Sequence, residues 1–154
     1  MFHLILYQPE IPPNTGNIIR LCANVGATLH LVHPLGFQMD ERRLRRAGLD
    51  YHELACVMEH SSLESCVETV QPGCIFALST KGEKIFFDGK FSPGDAFLFG
   101  PETRGLPKDL LASMPSERIL RIPLKDGNRS LNLGNAAAVV LYEALRQQGF
   151  EGIG

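Results

Sequence analysis

Net charge is the first thing this chain lacks. Its 15 Lys and Arg face 17 Asp and Glu, a formal net charge of −2, which excludes general electrostatic adhesion to nucleic acid and leaves only a local basic patch to meet a phosphate backbone. No apolar run reaches the ~18 residues of a membrane span, and Phe2 to Tyr7 before Pro9 is too short for a secretory h-region. Cys22, Cys56, Cys66 and Cys74 form no C-x-x-C pair. A disulfide framework is out of keeping with so apolar a chain, so reduced thiols in the cytoplasm are expected. Reactive signatures are missing too. Without G-x-G-x-x-G or G-x-x-x-x-G-K-[ST], neither a dinucleotide fingerprint nor a phosphate-cradling loop is available. Without H-E-x-x-H or G-x-S-x-G, zinc hydrolysis and a nucleophile elbow lose their footing. His30 and His33 sit three apart at a strand end, where side chains point to opposite faces, so no metal site is expected there.

What is present fits one globular domain over residues 1–154, with 44% hydrophobic residues and no repeats. Strand-like and helix-like segments alternate. Leu4 to Tyr7 reads as a buried strand, stopped by Pro9, Pro12 and Pro13 before a helix that Asn14 can cap. That helix buries Ile18, Leu21, Cys22 and Val25, ends near Gly26, and gathers Asn17, Arg20 and Asn24 on the opposite face. A strand at Leu29 to Val32, a short arginine-rich helix around Leu44, a weaker strand near Leu54 to Met58 and a helix near Ser62 to Val70 follow. Glu83 to Asp95 reads as a polar surface excursion, and Asp109 to Ala112 as a short helix. In the last helix Leu133, Ala136, Ala137, Val140, Leu141, Ala144 and Leu145 form one apolar stripe, with Gly149 as the stop. The fold class is α/β with a mainly parallel sheet, and spacing alone leads to a Rossmann-like arrangement.

Three segments run from an apolar strand into a short polar loop: Cys74 to Gly82, Phe97 to Gly105, and Ile119 to Leu124 followed by Lys125 to Ser130. In an open α/β sheet the crevice beyond the carboxyl ends of parallel strands binds ligands, and loops built on backbone groups suit a flat, polar-edged molecule such as adenosine. Each feature also has a plainer reading. Gly100 to Gly105 suits close backbone approach to a ligand or a simple turn. Ser130 serves as a helix N-cap. Arg42, Arg43, Arg45 and Arg46 are solvated charge or a phosphate-binding patch, and four arginines in five positions of an acidic chain favour the patch.

In order along the chain, Asn14-x-Gly16-Asn17-Ile18-x-Arg20, Phe99-Gly100-Pro101-Glu102-x-x-Gly105, and Ile122-Pro123-Leu124 with Ser130-Leu131-Asn132-Leu133 through Tyr142-Glu143 resemble the three motifs of the SpoU class of SPOUT RNA methyltransferases. With the Pro9 to Asn17 and Arg42 to His52 runs, the resemblance covers nearly the whole chain. It extends to the enzymes that methylate the ribose 2′-oxygen of the tRNA wobble nucleotide, cytidine or 5-carboxymethylaminomethyluridine 34. Gly134, where the family carries Ser, is a departure.

The resemblance implies an α/β trefoil knot, a homodimer, no appended RNA-binding domain, S-adenosylmethionine as cofactor, no metal, and the tRNA anticodon stem-loop as partner. Carried onto this sequence, the cofactor pocket uses Leu78, Thr80, Gly100, Glu102, Ile122, Leu124, Ser130 and Leu131. Arg42, Arg43, Arg45 and Arg46 meet RNA, and Arg20 is catalytic, reaching across from the partner subunit. General base and electrostatic clamp both stay open for Arg20, although a guanidinium that keeps its charge in proteins favours the clamp. The rivals are a SpoU-type enzyme acting on another tRNA position or on ribosomal RNA, a non-catalytic adenosine-ligand and RNA-binding module, and a nucleotide-binding regulatory domain.

Overall fold

The computed structural model describes residues 1–154. Its strands are β1 (His3–Tyr7), β2 (Thr28–Val32), β3 (Val57–His60), β4 (Ile75–Leu78), β5 (Lys84–Ile85), β6 (Ala96–Phe99) and β7 (Ile119–Arg121). The helices are α1 (Pro12–Val25), α2 (Glu41–Arg46), α3 (Tyr51–Leu54), α4 (Leu63–Val70), α5 (Lys108–Ala112) and α6 (Leu133–Gln147). The seven strands form one sheet in the order β3-β2-β1-β6-β4-β7-β5, parallel at every pairing. Helices cover both faces, which is why the central strands read as unbroken apolar runs.

Strand alternation divides the core in two. Leu4, Leu6, Leu29, Leu31, Phe97 and Phe99 pack with Ile18, Ile19 and Cys22 of α1 and with Ala137, Val140, Leu141 and Ala144 of α6. Ile5, Val32, Ala77 and Leu98 turn the other way, onto Cys66 of α4 and Leu106. α6 buries the centre of its expected stripe, Ala137, Val140, Leu141 and Ala144, and half-buries Leu133, Ala136 and Leu145 at its flanks, at ~1.5–3 kcal/mol for each large side chain fully buried.

Three expectations need correction. The segment Glu83 to Asp95 is not a surface excursion: β5 pairs with β7, and Phe86 and Phe91 are buried, stacked with ring centroids 4.9 Å apart and packed edge-on against Phe97. Their burial is a tertiary contact that local polarity hides. The strand placed near Leu54 starts at Val57, because Asp50 and Glu53 close a capping box that makes Tyr51–Leu54 a helical turn. Asn14 does not cap α1. Ile11 is its N-cap, Pro12 and Pro13 occupy the first turn, where a missing N–H leaves nothing unsatisfied, and Asn14 is buried inside the helix.

Candidate active site

The carboxyl ends of β4, β6 and β7 open onto a cavity of about 700 Å³. Leu78 and Thr80 come from the loop after β4, Gly100 and Glu102 from the loop after β6, and Ile122, Leu124, Ser130 and Leu131 from the segment between β7 and α6, so all eight expected pocket residues line it. Lys81, Arg104 and Arg129 add positive charge to the lining; the sequence reading did not single them out.

A reciprocal clasp sets the wall between the first and second motifs. Glu102 Oε1 accepts from the Glu10 N–H (2.9 Å), and Oε2 accepts from the Ile11 N–H (2.6 Å) and from Asn14 Nδ2 (3.4 Å). In return, Glu10 Oε1 accepts from the Thr103 N–H (3.0 Å) and hydroxyl (2.7 Å), and these bonds hold the Glu10 carboxyl below its usual range. Glu102 thus supplies the anion that the start of α1 lacks in its own side chains. Its carboxylate is largely occupied, so what it gives a ligand is chiefly the position of the loop.

Asn14 carries the hydrogen bonding on to the third motif. Its Oδ1 accepts from Asn132 Nδ2 at 2.9 Å, and Asn132 Oδ1 in turn accepts from the Asn135 N–H at 3.2 Å, capping α6. Ser130 is therefore not the cap; it stands exposed two residues earlier, at the cavity. The sequence reading missed the roles of Asn14 and Asn132, although both lie inside the quoted motifs. At Gly134, a Cβ would sit 3.2 Å from Asn132 Oδ1, so glycine there leaves the cap uncrowded.

Of the two readings of Gly100, its surroundings bear out the turn. A Cβ there would collide with the backbone of Gly105 and Leu106, coming within 2.8 Å of the Gly105 α-carbon. The hairpin-like return of its own loop, closed by the Gly105 N–H on the Pro101 carbonyl at 2.8 Å, excludes a side chain before any ligand does.

Arg20 is exposed on α1 beside Asn17 and Asn24, as expected, but it does not line the cavity. It lies six residues beyond Asn14, ~9 Å along the helix, and is directed at α3 and the turn before it: Nε donates to Glu53 Oε1 (3.1 Å) and Nη2 to the Gly48 carbonyl (2.7 Å). On α2, Arg42, Arg43, Arg45 and Arg46 are all exposed. Arg43 reaches Asp40 at 4.0 Å and Arg45 pairs with Glu41 at 3.0 Å while lying over the Tyr51 ring; Arg42 and Arg46 form no ion pair.

His30 is buried and His33 exposed, so the two do not meet. His30 Nε2 meets His3 Nδ1 at 3.0 Å and its Nδ1 meets His60 Nε2 at 2.9 Å. Cys66 lies beside them, with one ligand atom from each of His30, His60 and Cys66 within 4.8 Å of the others. Both His30 ring nitrogens are engaged by other imidazoles, so the grouping is a hydrogen-bonded chain across β1, β2 and β3. No helix is long and apolar enough to cross a membrane.

The model of the SpoU rRNA Methylase family matches residues 1–142. A tRNA (cytidine(34)-2'-O)-methyltransferase of Burkholderia ambifaria is 56% identical over 154 residues, 99% of each chain. The Escherichia coli (strain K12) protein of the same description is 52% identical, covering 99% of this chain and 97% of its own. A solved structure concerned with 2-OH methylation of C/U34 on tRNA superposes with a TM-score of 0.87, at 46% identity over 97% of both chains. The SpoU methyltransferase AviRb from Streptomyces viridochromogenes, in complex with the cofactor AdoMet, superposes at 0.79 with 25% identity, over 95% of this chain and 57% of its own.

Proposed function

The chain belongs to the SpoU rRNA Methylase family, and we propose that it transfers a methyl group from S-adenosylmethionine to the ribose 2′-hydroxyl of the tRNA wobble nucleotide. The observation that carries this reading is the single cavity in which loops from β4, β6 and β7 bring all eight expected residues together. Its volume lies in the range of small-molecule sites, and its lining mixes apolar side chains such as Leu78, Phe99 and Leu124 with polar and charged ones.

The cavity fits S-adenosylmethionine by its donor set. Leu78, Ile122 and Leu124 offer apolar surface for the adenine, and Thr80 and Ser130 offer hydroxyls beside it. When bound, the cofactor supplies a methyl group on a sulfonium. The protein's task is to place the ribose oxygen in line with it, and positioning of this kind supplies up to ~7–11 kcal/mol of the barrier. Arg20 acts as an electrostatic clamp on the RNA phosphate and hydroxyl, its guanidinium being a cation with five donors and no acceptor. Because Arg20 does not line the cavity of its own chain, the reading includes a homodimer in which each subunit lends Arg20 to the other's site. Exposed Val139 and Tyr142 of α6 offer apolar surface for that pairing. Arg42, Arg43, Arg45 and Arg46 grip phosphates of the anticodon stem-loop, and the setting is the cytoplasm. The trefoil knot belongs to the same reading: the chain leaves β7 near one edge of the sheet, and α6 returns to pack on α1.

The test is methyl transfer from labelled S-adenosylmethionine to tRNA lacking the modification, followed by mapping of 2′-O-methyl groups. A single methylated ribose at nucleotide 34 is expected. Methylation at another nucleotide or of ribosomal RNA would overturn the substrate, and cofactor binding without product would leave a non-catalytic module.

A further inference from the structure

Glu53 lines no part of the cavity, yet both of its carboxylate oxygens are engaged. Oε2 accepts from the Asp50 N–H at 2.8 Å, while Asp50 Oδ1 accepts from the Glu53 N–H at 2.8 Å. This capping box fixes the start of α3, and it needs only one oxygen at residue 53; Gln serves there as Glu does. The second oxygen, Oε1, accepts from Arg20 Nε at 3.1 Å. The helix start does not account for it.

A second hydrogen bond pins the same guanidinium. Arg20 Nη2 donates to the Gly48 carbonyl at 2.7 Å, and Gly48 has a φ of +89° with its missing Cβ 3.4 Å from that nitrogen. Glycine here permits the positive φ and leaves the guanidinium its seat. Gly48 directly follows the Ala47 cap of the arginine helix α2. One Nε and one Nη2 donor are engaged, so the Nη1 pair stays available to a substrate phosphate or hydroxyl. The Glu53 side chain is 17% exposed and that of Arg20 50%, so the holding group is sheltered while the held group still faces solvent. A long side chain fixed in this way has given up its rotamer freedom before the substrate arrives.

We propose that Glu53 is a positioning residue for methyl transfer: it holds the Arg20 guanidinium on the segment that follows α2, so that RNA phosphates gripped by α2 and the reacting ribose hydroxyl share one rigid frame. The proposal rests on the methyltransferase reading above. Misplacing a catalytic group by about 1 Å costs on the order of a hundredfold in rate, and that is the scale expected when the Glu53 carboxylate is removed.

The experiment compares wild type with Glu53→Gln, which keeps an oxygen for the capping box and removes the carboxylate from Arg20. Single-turnover methylation at saturating tRNA and cofactor is expected to fall about a hundredfold, with S-adenosylmethionine and tRNA affinities and the thermal midpoint unchanged. The Arg20 Nε–H proton is expected to exchange faster with solvent by NMR. Glu53→Asp, which keeps the charge but withdraws it by one methylene, should show the same split if Glu53→Gln folds poorly. A wild-type rate in folded variants overturns the proposal, as does a rate loss that tracks weaker cofactor or tRNA binding, because Glu53 would then be structural. If wild-type protein itself gives no methylated tRNA, the function reading fails and not the role of Glu53 within it.

Discussion

At the scale of single residues, Arg20 and Glu102 separate chemistry from architecture. Arg20 is exposed and takes no part in the core, so Arg20→Ala is expected to leave folding and S-adenosylmethionine affinity intact while single-turnover methylation falls by at least about a hundredfold. A variant with wild-type turnover would remove Arg20 from the mechanism. Glu102 should behave in the opposite way. Its carboxylate satisfies the Glu10 and Ile11 N–H groups and Asn14, so Glu102→Ala is expected to lower stability by about 1–2 kcal/mol in urea denaturation. Glu102→Gln should recover part of that loss, since one amide oxygen still accepts. Equal stability of all three proteins would show that the clasp contributes nothing. Residue types predicted the place of these groups better than their partners. Gly100, Asn14 and Ser130 all fall at the site, but Asn14 meets the Asn132 amide only after folding, 118 positions away in sequence, and no local pattern encodes that contact.

Among the elements, α2 invites the sharpest test, because its arginines are not equivalent. Arg43 and Arg45 are tied to Asp40 and Glu41, whereas Arg42 and Arg46 are unpaired. Replacing Arg42 and Arg46 together by Gln is therefore expected to weaken tRNA binding more than replacing Arg43 and Arg45. It should also flatten the slope of log affinity against log salt by about 0.7–0.9 for each phosphate no longer neutralised. An unchanged slope would mean that the cluster is ordinary solvated charge. Elements with a strong internal period were legible beforehand: α6 repeats its apolar residues every three or four positions and buries Ala137, Val140, Leu141 and Ala144. The segment from Lys84 to Phe91 was not, since its two-residue strand depends on β7, far away in sequence, and its phenylalanines are buried only by packing on Phe97 of another strand.

At the scale of the whole molecule, the histidine chain that crosses three strands is expected to set the response to acid. Burial is the main cause lowering all three values; the neighbouring His3 and His60 add to it for His30, which falls to about 4, while His3 and His60 are also lowered. The unfolded chain, with ordinary histidines near ~6.5, therefore takes up protons first as pH falls. Stability is fully present above about 6.5 and is lost as pH drops from there towards about 4. Thermal midpoints measured from about pH 8 to about pH 4 should stay level and then decline through that window, and His30→Gln should make the decline shallower. An equally steep decline in the variant would place the acid sensitivity elsewhere. Parallel α/β layering and the ligand crevice were both readable from alternating patterns, but strand order was not, because every parallel neighbour is reached by a crossover that leaves no local trace. That order has a consequence for how the protein comes into being. The sheet has β6 at its middle, joining β1 to β4, yet β6 begins at Ala96. As the chain leaves the ribosome, β1 with β2 and β3 can assemble early while β4 waits with no partner, so the half that carries the ligand loops remains unbuilt until nearly two thirds of the polypeptide exists. A nascent chain halted before Ala96 should be protease-sensitive throughout β4, and one halted after Arg121 should not.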